Sequence, residues 1–216
     1  MHLLPTVLQQ LVTAGSRMEA HARHDHDVVY TSLRERLKER FGGRTSSLRV
    51  LDFGCGYKYP LVALLRRDVA EVVGLDVLPV YRDGLKPLVR AFSESGGVRG
   101  LSWGMLRHYE ARLYHKHLTG RYGSPRNHED LPIVRYDGTK LPFEDCSFDC
   151  VVSNAVLMEI PGSLRGYARE MARVLSPGGA VDLEWHNFYS WSGGLTHEEH
   201  QNPWGHLLGG CYWEPL

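Results

Sequence analysis

The sequence has few cysteines, no excess of either charge and no long hydrophobic run, and each absence excludes a class of protein. Its 4 cysteines form no C-x-x-C pair, so we expect reduced thiols rather than a disulfide framework. Lys and Arg total 25 against 25 Asp and Glu, which gives no general attraction to nucleic acid or to an anionic membrane. No apolar stretch approaches the roughly 20 residues of a membrane-spanning helix. With no signal-peptide pattern at the N-terminus, the expected location is the cytoplasm.

Histidine, in contrast, is abundant, with 12 residues. Two groups are close enough in sequence to suggest metal ligands: His21, His24 and His26, and His197, His200 and His206. Neither group comes with the cysteines or carboxylates that would complete a defined coordination geometry. We therefore interpret them as solvated polar surface and predict no metal site.

Short apolar runs alternate with helical patterns along most of the chain. Strands are predicted at 48–53, 70–76, 133–137, 148–154 and 180–185. Helices are predicted at 61–67 and from Ser163 to the Pro177-Gly178-Gly179 turn. This alternation predicts a single α/β domain over residues 1–216, Rossmann-like, with a doubly wound, mostly parallel sheet and helices on both faces.

Two further helical regions lie outside this alternation. Residues 27–43 place an apolar side chain at every fourth position, with Asp27 as a potential cap and Gly42 as a stop; the apolar set is Val29, Leu33, Leu37 and Phe41. The connection between Asp76 and Ile133 is much longer than a crossover helix requires. We therefore predict an inserted helical lid over residues 99–131.

The predicted lid is rich in basic residues. Residues 99–128 contain six Lys and Arg side chains against one acid, Glu110, and Leu106, Tyr109 and Leu113 fall on one helical face. Such a segment is either an ordinary solvated helix face or a surface that attracts an anionic substrate.

A glycine-containing turn follows the first predicted strand, in the sequence VLDFGCGYKYP at 50–60. Gly54 and Gly56 allow a sharp turn and close approach of a ligand to the backbone. Asp76, at the end of the second strand, can accept hydrogen bonds from the two hydroxyls of a ribose. The turn has Tyr59 where a dinucleotide fingerprint requires its third glycine, which weakens the hypothesis of a nicotinamide oxidoreductase.

The full set of strand-end motifs is more specific than any one of them. D-x-G-x-G closes the first strand, Asp76 the second and Asp137-Gly138 the third; LPFEDCSFD then leads into the fourth strand, and VLSPGG precedes the fifth. This order closely resembles the class I S-adenosylmethionine-dependent methyltransferases. The resemblance covers residues 47–188 and is strongest to the small-molecule branch, the ubiquinone/menaquinone C-methylase-like or type 11 group.

The resemblance implies S-adenosylmethionine as the cofactor and assigns its contacts. Gly54 and Gly56 would approach the methionine part, with Asp52 holding the loop. Asp76 would bind the ribose hydroxyls. Asp137 would accept a hydrogen bond from the adenine amino group beside the backbone of Gly138, and Asn154 would border the transferred methyl group.

The chain departs from this family at two places. Relatives commonly have a glycine at the position of Lys58, and many have a histidine where this chain has Glu159. Candidates for a catalytic base are therefore Glu159 and His186, with Tyr189 available to orient an acceptor. For His186 a structural role in its loop is an equal alternative.

The implied activity is methyl transfer by in-line displacement to a small or medium-sized metabolite. If the basic segment attracts the substrate, that metabolite would be an anion. The family's sheet ordinarily continues with two more strands, and residues 189–216 show no convincing strand pair, so these strands are predicted to be missing or shortened. An alternative is therefore an inactive S-adenosylmethionine-binding accessory module. In either case a partner subunit or a homodimer could cover the exposed sheet edge.

Overall fold

The computed structural model describes residues 3–77, 89, 92, 97–123, 130–136, 140–157 and 164–184. The chain divides into two compact units, Met1–Asp137 and Gly138–Leu216.

The first unit begins with a long run of helix. Helix α1 (Leu3–His24) continues into a π-helix (Asp25–Tyr30), helix α2 (Thr31–Phe41) and a 3-10 helix (Gly42–Ser47). The apolar residues predicted to face the core are all buried: Val29, Leu33, Leu37 and Phe41. The predicted start at Asp27 is wrong, because the chain is already helical from residue 3, and the Asp27 carboxylate accepts a hydrogen bond from the Tyr122 hydroxyl, at 3.2 Å, instead of capping a helix.

Three parallel strands follow in the first unit. They are β1 (Arg49–Phe53), β2 (Glu71–Asp76) and β3 (Ile133–Arg135), in the order β3-β2-β1. Helix α3 (Pro60–Leu65) connects β1 to β2, and its residues from Leu61 to Leu65 are buried. Because the strands are parallel, the ends of β1 and β2 meet at one edge, where Phe53 pairs with Leu75.

Gly74 lets β2 lie very close to the glycine turn and to α3. A Cβ at this position would be 2.8 Å from Val62 Cγ2 and 2.9 Å from Cys55 Sγ. Both distances are shorter than real Cβ contacts, so a larger residue would force these elements apart.

Helix α4 (Val98–Tyr122) confirms the helical character of the inserted segment. Its buried side is formed by Trp103, Leu106, Tyr114 and Leu118, and the Glu110 carboxylate on this helix forms an ion pair with Arg17 of α1. The predicted apolar face is wrong at Tyr109, which is 45% exposed. Hydropathy alone selected the wrong face because part of the buried contact with α1 is made by charged side chains.

The second unit contains strands β4 (Phe148–Asn154) and β5 (Leu175–Glu184), which pair in parallel, and helix α5 (Leu164–Val174). The predicted helix end at Pro177-Gly178-Gly179 is wrong, since α5 stops at Val174 and these residues lie within β5. The β4–β5 register shifts between Phe148 and Cys150.

Arg173 of α5 explains the LPFED motif that precedes β4. Its guanidinium donates to the carbonyls of Leu141 at 3.1 Å and Phe143 at 2.8 Å, and to Asp145 Oδ1 at 2.8 Å. Glu170 accepts a hydrogen bond from the Leu141 N–H at 2.9 Å. The motif is therefore held against α5 by a charged pair of side chains.

Parallel strands alternating with helices confirm the predicted α/β class. None of the described helices combines the length and the hydropathy needed to cross a membrane.

Candidate functional site

The turn after β1 folds back over the end of β2. Gly54 and Gly56 have φ values of 82° and 67°, in the left-handed region that glycine adopts readily. The N–H groups of Gly54 and Cys55 both donate to the carbonyl oxygen of Leu75, at 2.7 and 3.2 Å. The backbone conformation therefore favours glycine at both positions, where the sequence predicted a sharp turn.

Asp76 is joined directly to this glycine turn. Its Oδ2 accepts a hydrogen bond from the Gly56 N–H at 2.7 Å. The structure thus brings together four of the predicted cofactor-binding residues at one edge of the sheet: Asp52, Gly54, Gly56 and Asp76. It also gives Asp76 a function that the sequence did not indicate, because the carboxylate fixes the turn.

Asp52 is a buried carboxyl group, only 2% exposed. Its Oδ2 has no hydrogen-bond partner within the described part of the chain. Burial, and secondarily the charge of Asp76, raise the pKa of Asp52 to about 8. The side chain is therefore mostly protonated at neutral pH.

Tyr59 adopts a left-handed conformation, with φ 38° and ψ 54°, immediately before α3. This is the position where a dinucleotide fingerprint has its third glycine, so the backbone keeps the conformation that glycine favours although the residue is tyrosine. The ring is 2% exposed and stacks on His115 of α4, with ring centroids 4.7 Å apart.

Tyr57 connects the turn to α4 and α1. Its hydroxyl donates to Glu110 Oε2 at 2.9 Å, and the Arg107 guanidinium lies 5.2 Å from its ring centroid. The other oxygen of the Glu110 carboxylate accepts a hydrogen bond from Arg17. Burial, and secondarily the Glu110 charge, raise the pKa of Tyr57, so the hydroxyl remains a donor.

Lys58, where relatives commonly have glycine, also contacts the helices. Its Nζ donates to Nδ1 of His21 at 2.9 Å and lies 5.1 Å from the ring centroid of Tyr114. Partial burial, and secondarily the Lys58 charge, lower the pKa of His21 to about 4, so the imidazole is neutral and can accept this bond. The Tyr114 hydroxyl donates to Asp25 at 2.8 Å.

These helix contacts were missed in the sequence. Arg17 and His21 lie in a helix that the sequence did not predict, and Glu110 was counted only as one acid among basic residues. The only available signal was that Glu110 is the one acid in residues 99–128.

The glycine turn lies beside two carboxyl groups at the sheet edge. Within the described part of the chain, no atom lies within 4 Å of a Cβ built on Gly56. Burial, followed by the charge of Asp76, raises the pKa of Asp52, so the ionised form of this carboxyl group is disfavoured. A positively charged group placed beside the two carboxyl groups would favour the ionised form.

The remaining predicted site residues are placed differently. Asn154 is the last residue of β4 in the second unit and pairs with Glu184 of β5. Five predicted residues lie outside the described part of the chain: Asp137, Gly138, Glu159, His186 and Tyr189. Their assignments stay predictions.

The described histidines of the N-terminal group do not form a metal site. No cluster of three His, Cys, Asp or Glu suited to a metal ion occurs among the described residues. His24 is exposed, as expected for surface. His21 and His26 instead make specific contacts, since His26 bonds to Asp27 at 2.8 Å and stacks on Tyr122.

Residues 106–182 match a protein family described as "Methyltransferase domain". Among curated proteins, the chain is similar to the sterol 24-C-methyltransferase of Gibberella zeae, with 27% identity over 169 residues, 77% of this chain and 32% of that protein. It is also similar to the demethylmenaquinone methyltransferase of Corynebacterium efficiens, with 48% identity over 56 residues, 26% of this chain and 24% of that protein. The chain thus spans a third or less of the length of these two relatives.

Among solved structures, an S-adenosylmethionine-dependent methyltransferase from Mesorhizobium loti aligns with 73% of this chain and 55% of its own, at 20% identity and a TM-score of 0.43. The family match begins within α4, after the glycine turn, and therefore supports the assignment independently of the D-x-G-x-G motif. The family match and the curated relatives, all methyltransferases by description, agree with the resemblance to class I S-adenosylmethionine-dependent methyltransferases.

Proposed function

We propose that this protein transfers the methyl group of S-adenosylmethionine to a small or medium-sized acceptor by in-line displacement. The observation that carries the proposal is the glycine turn between two strand-end carboxyl groups, with Asp76 bonded to the Gly56 N–H. The two curated relatives are named for a sterol and for demethylmenaquinone, which favours a small-molecule acceptor.

In this proposal the residues of the turn hold the cofactor. Gly54 and Gly56 bring the backbone close to its methionine part, Asp76 binds the ribose hydroxyls, and the Asp52 carboxyl group lies under the turn. The bound sulfonium supplies an activated methyl group, so the main requirement is that the acceptor be held in line with it, at about 3 Å. We also propose Asp137 and Gly138 for the adenine, Asn154 near the methyl group, and Glu159, His186 and Tyr189 on the acceptor side.

Cofactor binding can be tested by calorimetric titration with S-adenosylhomocysteine. Asp76→Asn retains an oxygen that can accept the Gly56 N–H but removes one charged acceptor for the ribose. We expect it to weaken binding by about tenfold or more, the size of a lost hydrogen bond to a charged group. The matched control is Glu71→Gln, an exposed acid at the opposite end of the same strand, which should leave the affinity unchanged.

Transfer itself is tested with labelled S-adenosylmethionine and a panel of quinols, phenols, sterols and carboxylates. Label in an acceptor supports the enzyme. Tight cofactor binding without transfer to any member of the panel would favour the accessory module instead. Binding of NAD with no binding of S-adenosylhomocysteine would contradict the proposal.

A further inference from the structure

We propose that Glu110 is a positioning residue, which fixes the glycine turn through the hydroxyl of Tyr57. The effect on the cofactor rests on the function proposed above, whereas the effect on the turn itself does not. The contacts that lead to this inference all lie within the first unit.

Gly56 is held in its turn conformation by contacts from other residues. Its φ of 67° is one of many conformations open to glycine, so the chain itself does not select it. On its N-terminal side the Gly56 N–H is held by Asp76 at 2.7 Å. On its C-terminal side the next residue is Tyr57, whose hydroxyl is hydrogen-bonded to α4.

Tyr57 is held at both ends of its side chain. The Arg107 guanidinium lies over the ring, and the hydroxyl donates to Glu110 Oε2 at 2.9 Å. Arg107 and Glu110 are both on α4 and are 3% and 6% exposed. The turn is therefore attached to buried charged side chains of α4, a helix that does not itself form part of the sheet edge.

The Glu110 carboxylate divides its two oxygens between two partners. Oε2 accepts from Tyr57, and Oε1 accepts from Arg17 of α1. A buried carboxylate is costly unless it is paired and hydrogen-bonded. Arg17 compensates that cost, and the second oxygen is then fixed in place as the acceptor for Tyr57.

If the bond between Tyr57 and Glu110 only stabilised the fold, its loss would not affect the turn more than the loss of another such bond. Tyr114 therefore provides the matched control. Its hydroxyl also donates to a carboxylate, Asp25 Oδ2 at 2.8 Å, and its side chain is fully buried on the same helix. That bond joins α4 to the π-helix, and the Tyr114 ring, which lies 5.1 Å from Lys58 Nζ, is retained in a phenylalanine variant. Tyr57→Phe and Tyr114→Phe thus each remove one hydroxyl that donates to a carboxylate, and only the Tyr57 hydroxyl belongs to the turn itself.

The experiment compares the two variants in three measurements. Urea unfolding should show similar losses of stability for both. Hydrogen exchange of the amides of residues 54–59, measured without ligand, should become at least about tenfold faster in Tyr57→Phe only. S-adenosylhomocysteine should bind about tenfold more weakly to Tyr57→Phe and within about twofold of wild type to Tyr114→Phe.

The assignment to Glu110 itself is tested with Glu110→Gln. Gln has one acceptor oxygen where Glu has two, so it cannot accept from Arg17 and Tyr57 together as Glu110 does. The turn should therefore exchange faster than in wild type, and the double variant with Tyr57→Phe should be no worse than the worse single variant. If Glu110→Gln does not fold, Arg17→Gln makes the same test from the other oxygen. Equal exchange of residues 54–59 in the two tyrosine variants would overturn the proposal. If the wild type fails to bind S-adenosylhomocysteine, the proposed function fails, and the exchange data still decide whether Glu110 positions the turn.

Discussion

Replacing Asp52 with Asn should change how the stability of the protein depends on pH. The carboxyl group is 2% exposed, and burial followed by the charge of Asp76 raises its pKa from the ordinary value of 3.8 to about 8. Folded Asp52 therefore binds a proton more tightly than the unfolded chain does. Between about pH 4 and pH 8 folding takes up a proton at this residue, and its contribution to stability falls as the pH rises.

The magnitude follows from the difference between the two pKa values. Each pH unit in this window removes at most about 1.4 kcal/mol of wild-type stability. Asn resembles the protonated carboxyl group and cannot lose a proton. From pH 5 to pH 8, Asp52→Asn should therefore gain on the order of 3 to 4 kcal/mol relative to wild type.

Urea unfolding of both proteins at pH 5, 6, 7 and 8 measures this difference. The wild-type curve alone is not diagnostic, because the pKa of His21 is lowered to about 4, by partial burial first and Lys58 second, and its contribution has the opposite sign. Stability due to His21 is lost as the pH falls from about 6.5 toward 4. A stability difference between Asp52→Asn and wild type that stays constant over these four pH values would show that Asp52 does not take up a proton on folding.

Three further predictions concern the turn and its surroundings. Gly74→Ala should destabilise the protein by about 1 to 3 kcal/mol through overpacking against Val62. In urea unfolding, Val62→Ala should therefore reduce the stability of the Gly74→Ala variant less than it reduces the stability of wild type. Tyr59→Gly should be more stable than Tyr59→Ala by about 1 kcal/mol, because glycine relieves the left-handed backbone, and the opposite order would show that the backbone is not strained. S-adenosylmethionine binding at pH 7 should release a proton from wild type and none from Asp52→Asn, because the positive charge of the ligand favours the ionised carboxylate; calorimetry in two buffers of different ionisation enthalpy measures the release.

The order of strands and turns could be predicted from the sequence because it depends on neighbouring residues. Apolar runs of strand length end in Asp52, Asp76 and Asn154, and each of these residues lies at or near the end of an observed strand. In a parallel sheet such ends share one edge. Proximity of Asp52, Gly54 and Asp76 therefore followed once parallel pairing was predicted.

The boundaries of elements were less predictable where packing decides them. Proline and two glycines after α5 indicated a stop, but the chain enters β5 at Leu175 and passes through them, with a register shift between Phe148 and Cys150. Local propensity describes what a residue prefers in isolation. The pairs with β4 are Leu175 and then Ala180–Glu184, so Pro177, Gly178 and Gly179 form an irregularity within the strand instead of ending the helix.

Periodicity and local backbone freedom are encoded in neighbouring residues, and they account for the alternation of strands and helices and for the acidic and glycine residues at the strand ends. The contacts that support the glycine turn arise only in the folded protein. Tyr57, Glu110 and Arg17 come from a loop and two helices far apart in sequence, and no local pattern encodes which buried charges will meet. The charged contact between α1 and α4 is specific because an unpaired charge in the interior costs more than any single apolar contact provides.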